Sequence, residues 1–462
     1  MNLTTPIVGS FGLLIFWLTF TKPRVALFVF AFAVIAFNDY LGGLPSSIMK
    51  IGDNLVYGAD FFLILLVGGV IRSIMRRDLD PRIDKAVLIM MLLGVGVGIC
   101  GILIGLDNGY KSNEIIGGFR RYSYYPWAIF IPPLFLRYPE DIRGFEKTAF
   151  AAAAVVCCFA AYRIATGSSY YPEQHGIESG YFRAMGYHEY LFLIFVTCLA
   201  VGKVVQNMDR PRLAYRICVL VVPIFIITSN YRIAWLLLIT SSLIVLMILA
   251  ARKMIIKPII VLAAMSILAM SMVGISARLG RNNAYLEVER RVTERVLASD
   301  QVGIESQRVE MWNTAIKEWK SAPLLGVGFG RKFYYRAQSP EGEWYWAYSY
   351  ALHNTYIELL LVSGILGLCI FVVLQVVIFA RCWRLLKKVK DSIPLISAGI
   401  TFMIAVLVQA SVQPLLTEPN GIVVFYLIMG SVLSLRFMET PLDRSSAKLQ
   451  IPNAHRVAPT EI

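Results

Sequence analysis

Histidine is scarce in this chain, acidic residues are outnumbered, and the dispersed apolar pattern of a soluble domain is missing. Only four histidines and 30 Asp and Glu stand in 462 residues, against 44 Lys and Arg, for a formal net charge of +14. Seven cysteines (Cys100, Cys157, Cys158, Cys198, Cys218, Cys369 and Cys382) lie in or beside apolar blocks with no Cys-x-x-Cys spacing. That supports neither a disulfide framework nor a zinc site. The start of the chain lacks the charged region and small-residue cleavage site of a signal peptide, and its first apolar block reads as a retained span. Most of the basic excess sits in short loops between apolar blocks, where it signals topology; no nucleic-acid partner is expected.

What is present is apolar sequence in blocks of roughly twenty residues, the length that crosses a bilayer's hydrocarbon core. With 57% hydrophobic residues, the chain is expected to be an all-α polytopic membrane bundle. Spans read near 6–20, 24–41, 58–75, 86–106, 123–137, 146–165, 188–205, 213–229, 233–251, 256–276, 356–380, 393–413 and 420–436. The block at 123–137 carries Pro126, Pro132 and Pro133 and reads as broken or re-entrant, giving twelve or thirteen spans. The expected segments are membrane helices over 1–276, a large partly helical periplasmic loop over 277–355, further membrane helices over 356–436, and a disordered cytoplasmic tail over 437–462.

Orientation follows from the basic loops. Arg72, Arg76, Arg77, Arg82 and Lys85 flank one; Arg252, Lys253 and Lys257 another; Arg381, Arg384, Lys387, Lys388 and Lys390 fill a third. With all three cytoplasmic, the large loop falls outside. Within it, Met311, Trp312, Ala315, Ile316 and Trp319 recur at helical spacing over 304–320, opposite Glu310, Asn313, Lys317, Glu318 and Lys320. That pattern predicts a helix lying at the membrane surface. The run Trp344, Tyr345, Trp346, Tyr348 and Tyr350 reads either as an interfacial aromatic belt or as a surface for sugar rings and headgroups.

Arginines on the outer side break the charge rule. Arg232 sits between two apolar blocks, with only the turn at 229–231 to lift it out. It either snorkels to the headgroups or serves a site, since a charge at that depth costs a few kcal/mol unless paired or hydrated. Arg308 precedes Trp312 by four residues and Ala315 by seven, so it shares their apolar stripe. Arg183, and the pair Arg120 and Arg121, directly precede spans from the same side. Together these guanidinium groups describe a site for a strongly anionic group such as a diphosphate, whose oxygens they can hold bidentately. His353 stands where the large loop re-enters the membrane. It reads either as a base that nearby cations keep neutral or as a histidine hydrogen-bonded at the interface. The run Gly326-Val327-Gly328-Phe329-Gly330-Arg331-Lys332 lacks Walker spacing and reads as a tight backbone turn. Asp78 and Asp80 read as a solvated loop.

In ordered combination, several of these features resemble the bacterial O-antigen ligase and polysaccharide polymerase superfamily. They are Ser-x-x-Arg (Ser229, Arg232), Arg-x-x-x-Trp-x-x-Ala (Arg308, Trp312, Ala315), Pro-Leu-Leu-Gly-x-Gly over 323–328, and His-Asn-x-Tyr before a Gly-x-x-Gly span (His353, Asn354, Tyr356, Gly364, Gly367). The resemblance implies an inverting, metal-independent glycosyltransferase without cofactor in the bacterial inner membrane, its active site facing the periplasm. The donor would be an undecaprenyl-diphosphate-linked glycan, and the acceptor a glycan, lipid A-core or protein. Arg232 and Arg308 would hold the diphosphate with help from Arg183, Arg120 and Arg121, and His353 would position or deprotonate the acceptor hydroxyl. Asn354, Tyr356, Trp344 and Trp346 would contact acceptor or sugar. His188, after Gly186, departs from the family's Asn-rich turn and leaves the donor contact there open. Ligase and polymerase are not separated. A transporter or flippase of a lipid-linked or anionic substrate is the rival from another class, and it would line a midplane path with its charges.

Overall fold

The computed structural model describes residues 4–36, 47–51, 54–75, 83–166, 185–206, 213–228, 232–251, 302–338, 344–349, 352–413 and 419–438. The acidic pair at 78 and 80, Arg183, the turn at 229–231, the basic loop at 252–257, the span at 256–276, the start of the large loop and the tail lie outside these residues.

The helices are, in order, α1 Thr4–Thr21, α2 Pro23–Ala36, α3 Phe62–Met75, α4 Lys85–Asp107, α5 Ser112–Phe119, α6 Ile131–Phe135, α7 Pro139–Thr166, α8 Tyr187–Gln206, α9 Leu213–Thr228, α10 Arg232–Ala250, α11 Val302–Trp319, α12 Thr355–Lys388, α13 Ile393–Ala410 and α14 Pro419–Ser434. Seven of the described helices are long and apolar enough to cross a membrane. The bundle is therefore all-α as expected, with two short antiparallel hairpins beside it: β1 Ser47–Ile51 with β2 Asn54–Tyr57, and β3 Phe333–Gln338 with β4 Trp344–Ser349. At its centre, α8, α13 and α14 are almost wholly buried. By contrast α4 leaves Ile89, Leu92, Leu93, Ile99 and Leu103 exposed, the face that hydrocarbon covers.

The Pro-rich block is broken, as its prolines require. A π-helical turn over Arg120–Tyr124 and a 3₁₀ turn over Tyr125–Phe130 lead into α6, because Pro126, Pro132 and Pro133 each withhold a backbone donor.

The large loop is tied to the bundle through an opening in α12. Gly364 takes φ 65°, ψ −168° inside that helix, a left-handed φ that glycine adopts without steric cost. The break frees backbone groups that apolar surroundings cannot satisfy. Residues 323–327 satisfy them: Val327 N donates to Leu361 O (2.9 Å), Ile365 N to Pro323 O (3.0 Å) and Leu366 N to Leu324 O (3.3 Å). The expected glycine turn follows, with φ 72°, 85° and 92° at Gly326, Gly328 and Gly330. Phe329 then drops against Gly101 and Gly118, where an added Cβ would stand 2.8 Å from its ring or side chain. Small residues of this kind allow close approach where no hydrophobic force drives helices together.

The helix α11 forms as its stripe predicts, with Met311 and Ala315 buried. It differs from expectation in its partner. Its apolar face packs on Val327, Phe333, Leu352 and Leu361, on protein rather than on lipid. The aromatic run is likewise paired as strand β4, with Trp346 opposite Arg336.

At the other end of the bundle, Asp84 caps α4 by accepting from Ala86 N (3.0 Å) and Val87 N (3.4 Å). It also pairs with Arg381 (Nε to Oδ2, 2.9 Å) and with Arg436. Two of the basic segments thus meet at one end, as a common side of the membrane demands.

Substituting Gly364→Ala is expected to destabilise the folded protein by at least about 1–2 kcal/mol, because a left-handed non-glycine residue is strained and its Cβ would strike the Leu324 backbone. A lowered Tm in detergent tests this; an unchanged Tm contradicts it.

Candidate active site

The site grows from residues 352–354, where β4 gives way to α12. Asn354 caps the helix, its Oδ1 accepting from Tyr356 N and Ile357 N, both at 3.1 Å. Its neighbour Leu352 is held on both sides. The carbonyl accepts from Trp312 Nε1 at 2.8 Å, and the N–H donates to Glu358 Oε2 at 3.4 Å. Between these anchors His353 takes φ 52°. For a non-glycine residue that left-handed geometry persists only where the surroundings enforce it, and such positions cluster at functional sites.

The Trp312 bond also brings in Arg308. The two side chains lie one helical turn apart on α11, so fixing the indole at Leu352 brings the guanidinium near enough for its charge to act on the imidazole. Burial lowers the pKa of His353 from its ordinary value, the Arg308 charge lowers it further, and the Gln413 carboxamide opposes both. His353 Nδ1 is buried without a hydrogen-bond partner. The ring is thereby biased toward the neutral form that can accept a proton.

A second layer lies behind. Glu358 is buried on the first turn of α12; it accepts from Tyr122 Oη (2.8 Å) and stands 3.8 Å from Arg121. Arg120 pairs with Asp60 at 3.0 Å, and Tyr125 Oη donates to the other oxygen of the same carboxylate at 3.1 Å. A cavity of about 640 Å³, counted with the open solvent in it, runs between α4 and α12. Arg121 and Tyr122 stand at it, and Met91, Phe371, Leu374 and Ile422 give it an apolar wall.

The structure thus brings together Arg308 and His353, and joins Arg121 to the same turn through Glu358. Arg120 is held with Asp60. Arg232 opens α10, but its side chain lies outside the described residues, as do Arg183 and the Trp344 side chain. Among the acceptor candidates, Asn354 spends its oxygen on the cap and Tyr356 Oη donates to Leu407 O at 2.8 Å. Trp346 is 69% exposed, with the Arg336 guanidinium 5.9 Å from its ring centroid. His188 lines a different cavity with Glu189, whose carboxylate pairs with Arg163 at 3.1 Å. Among the described residues, no group of three or more His, Cys, Asp or Glu could hold a metal ion.

Sequence reasoning missed Glu358, Tyr122, Asp60 and Gln413. Glu358 carried a usable signal, being the only charged residue within 356–380. Gln413 carried none.

A family model described as O-Antigen ligase matches residues 217–372, from α9 to the middle of α12, the stretch that contains Arg232, Arg308 and His353. No curated protein matches the chain. The family match supports the resemblance to the O-antigen ligase and polymerase superfamily, and with it ligase- or polymerase-like glycan transfer by a membrane protein.

Replacing Arg308 by Met removes the cation beside His353, so the imidazole pKa is expected to rise. The acid limb of any His353-dependent rate, and the ring's own NMR titration, then move to higher pH. A titration unmoved by Arg308→Met contradicts the arrangement.

Proposed function

We propose that this protein transfers a glycan, with inversion and without metal, from an undecaprenyl-diphosphate carrier to an acceptor hydroxyl at the periplasmic face of the bacterial inner membrane. The observation that carries the reading is the pairing of a neutral-biased, partly unpartnered imidazole with a guanidinium held beside it, within the stretch that matches the ligase family.

Neutral His353 takes the proton of the acceptor hydroxyl as its oxygen attacks the anomeric carbon. The bond from that carbon to the diphosphate oxygen breaks, and undecaprenyl diphosphate leaves with the electron pair. Negative charge grows on the leaving group, and fixed cations aimed there lower the barrier. Arg308 is one such cation; Arg232 and Arg183 are further candidates, and Arg121 serves from the cavity. The apolar wall between α4 and α12 suits an isoprenoid chain whose diphosphate lies toward Arg121. The diphosphate bond already holds the energy of transfer, so the reading requires no nucleotide.

Two features favour this over a transporter. Arg120 and Arg121 are each near a buried or half-buried carboxylate, and Arg308 stands on a surface helix packed over one end of the bundle. A midplane conduit would place its charges within the spans.

Purified protein in lipid, given a polyprenyl-diphosphate glycan and an acceptor without metal or nucleotide, is expected to form the glycosidic product. His353→Ala, Arg308→Ala and Arg232→Ala should each lower turnover by roughly 100-fold or more, the scale of a lost base or charge-stabilising group. Passage of intact lipid-linked glycan across the bilayer, with no bond broken, would overturn the proposal.

A further inference from the structure

Glu358 stands on the first turn of α12 with its side chain 3% exposed, too deep to touch a substrate itself. It meets the cavity between α4 and α12 through Tyr122 and Arg121, which stand at the cavity wall. Its two oxygens face different ways. Oε1 accepts from Tyr122 Oη at 2.8 Å and lies 3.8 Å from Arg121 Nη1, while Oε2 accepts from Leu352 N at 3.4 Å.

Two of these three contacts are slack. An N–H to oxygen bond usually measures about 2.7–3.2 Å, so the Leu352 bond has room to shorten. At 3.8 Å, Arg121 is held by charge and not by a hydrogen bond, and its side chain is 31% exposed. Its donors are therefore within reach of an anion in the cavity. Tyr122 is fixed by comparison: its hydroxyl bond is short, and its ring stacks on Phe329 with centroids 6.2 Å apart. A buried carboxylate that loses one partner draws harder on those that remain, because an unmet charge in a low dielectric is costly. The partner with room to respond is the N–H of Leu352, one residue before His353. The carbonyl of Leu352 is already held by Trp312 at 2.8 Å. A shorter bond at the N–H then narrows the freedom of the turn that carries the imidazole.

We propose that Glu358 is a positioning residue that couples the two halves of the site. A diphosphate that draws Arg121 away leaves the carboxylate to Tyr122 and Leu352 N–H, and the turn bearing His353 tightens once a donor is in place. The proposal rests on the reading of Arg121 as a diphosphate contact and of His353 as the base. To that reading it adds an order of events: the carrier binds first and the base is set second.

The test is amide hydrogen exchange at Leu352, resolved to the single residue by mass spectrometry, in the full-length protein in lipid nanodiscs. Undecaprenyl diphosphate is expected to slow that exchange roughly fivefold or more, the low end of ordinary coupling between sites. Undecaprenol, which lacks the anion, should leave it unchanged. Glu358→Gln keeps an oxygen for Leu352 N–H and turns its amide group toward Tyr122, but it has no charge for Arg121 to leave. In that variant the Leu352 amide should exchange at one rate with and without the carrier, although the carrier still binds. Arg121→Met, at a partly exposed position, should lose the response likewise, and it decides alone if Glu358→Gln does not fold. A native amide indifferent to the carrier, a carrier that does not bind, or a response retained in either variant would overturn the proposal. Absence of glycosidic product with the response intact would remove the transfer chemistry and leave the coupling standing. Product formed by a protein whose Leu352 amide ignores the carrier would do the reverse.

Discussion

A backbone opened inside a membrane helix must find hydrogen-bond partners within the protein, and this structure is organised around one such opening. At Gly364 the ladder of α12 breaks, and residues 323–327 supply donors and acceptors on both sides of the break. Water does this work at the surface of a soluble protein; in hydrocarbon the partners must be held within the protein, and here another stretch of backbone supplies them. The loop is therefore bound to the bundle by groups that neither side can leave unmet. With it come the glycine turn, Phe329 in its small-residue cradle, and the hairpin β3–β4.

The candidate site inherits that order. Arg308 and His353 belong to separate stretches, yet α11 and the start of α12 share an apolar cluster with Val327, next to the inserted loop. One indole hydrogen bond to Leu352 O sets the register between them. Preorganisation of this kind matters most for a reaction whose charge appears on the leaving group, because fixed dipoles and cations need not reorient as the bond breaks. The left-handed backbone at His353 belongs to the same logic: a strained residue kept in place by neighbours anchored on each side.

Much of this was legible beforehand, for reasons that differ by residue. The apolar blocks behind α1–α4, α7–α10 and α12–α14 announced themselves by length, and the three prolines announced the break before α6; the short helix α5 did not, since it fell in a stretch read as loop. The stripe through Met311 and Ala315 gave the helix α11, but periodicity says only that a face is covered and not by what, so its protein partner was hidden. The strand β4 was obscured because Tyr345 interrupts the alternation of Trp344, Trp346 and Tyr348 with Ala347 and Ser349, and a run of aromatics before a span equally fits an interfacial belt. Arg308 stood out as a charge on an apolar stripe. Gln413 did not, since a single neutral polar residue at a helix end has no spacing to betray it. The Gly-x-x-Gly pattern flagged Gly364 without revealing the kink, which depends on a loop some forty residues earlier.

The Asp84 cluster bears on how the chain is made. The partners of that carboxylate lie 297 and 352 residues downstream. At roughly 5–20 residues per second, Arg381 emerges about 15–60 s after Asp84 has been synthesised. Throughout that interval the start of α4 has its N-cap bonds but not the two arginines that pair with Asp84 in the folded protein. The late arrivals, Arg381 and Arg436, act as a latch closed only after most of the described helices have been made. Ribosome stalling or truncation before that point would leave an inserted but unlatched protein, a natural target for membrane quality control.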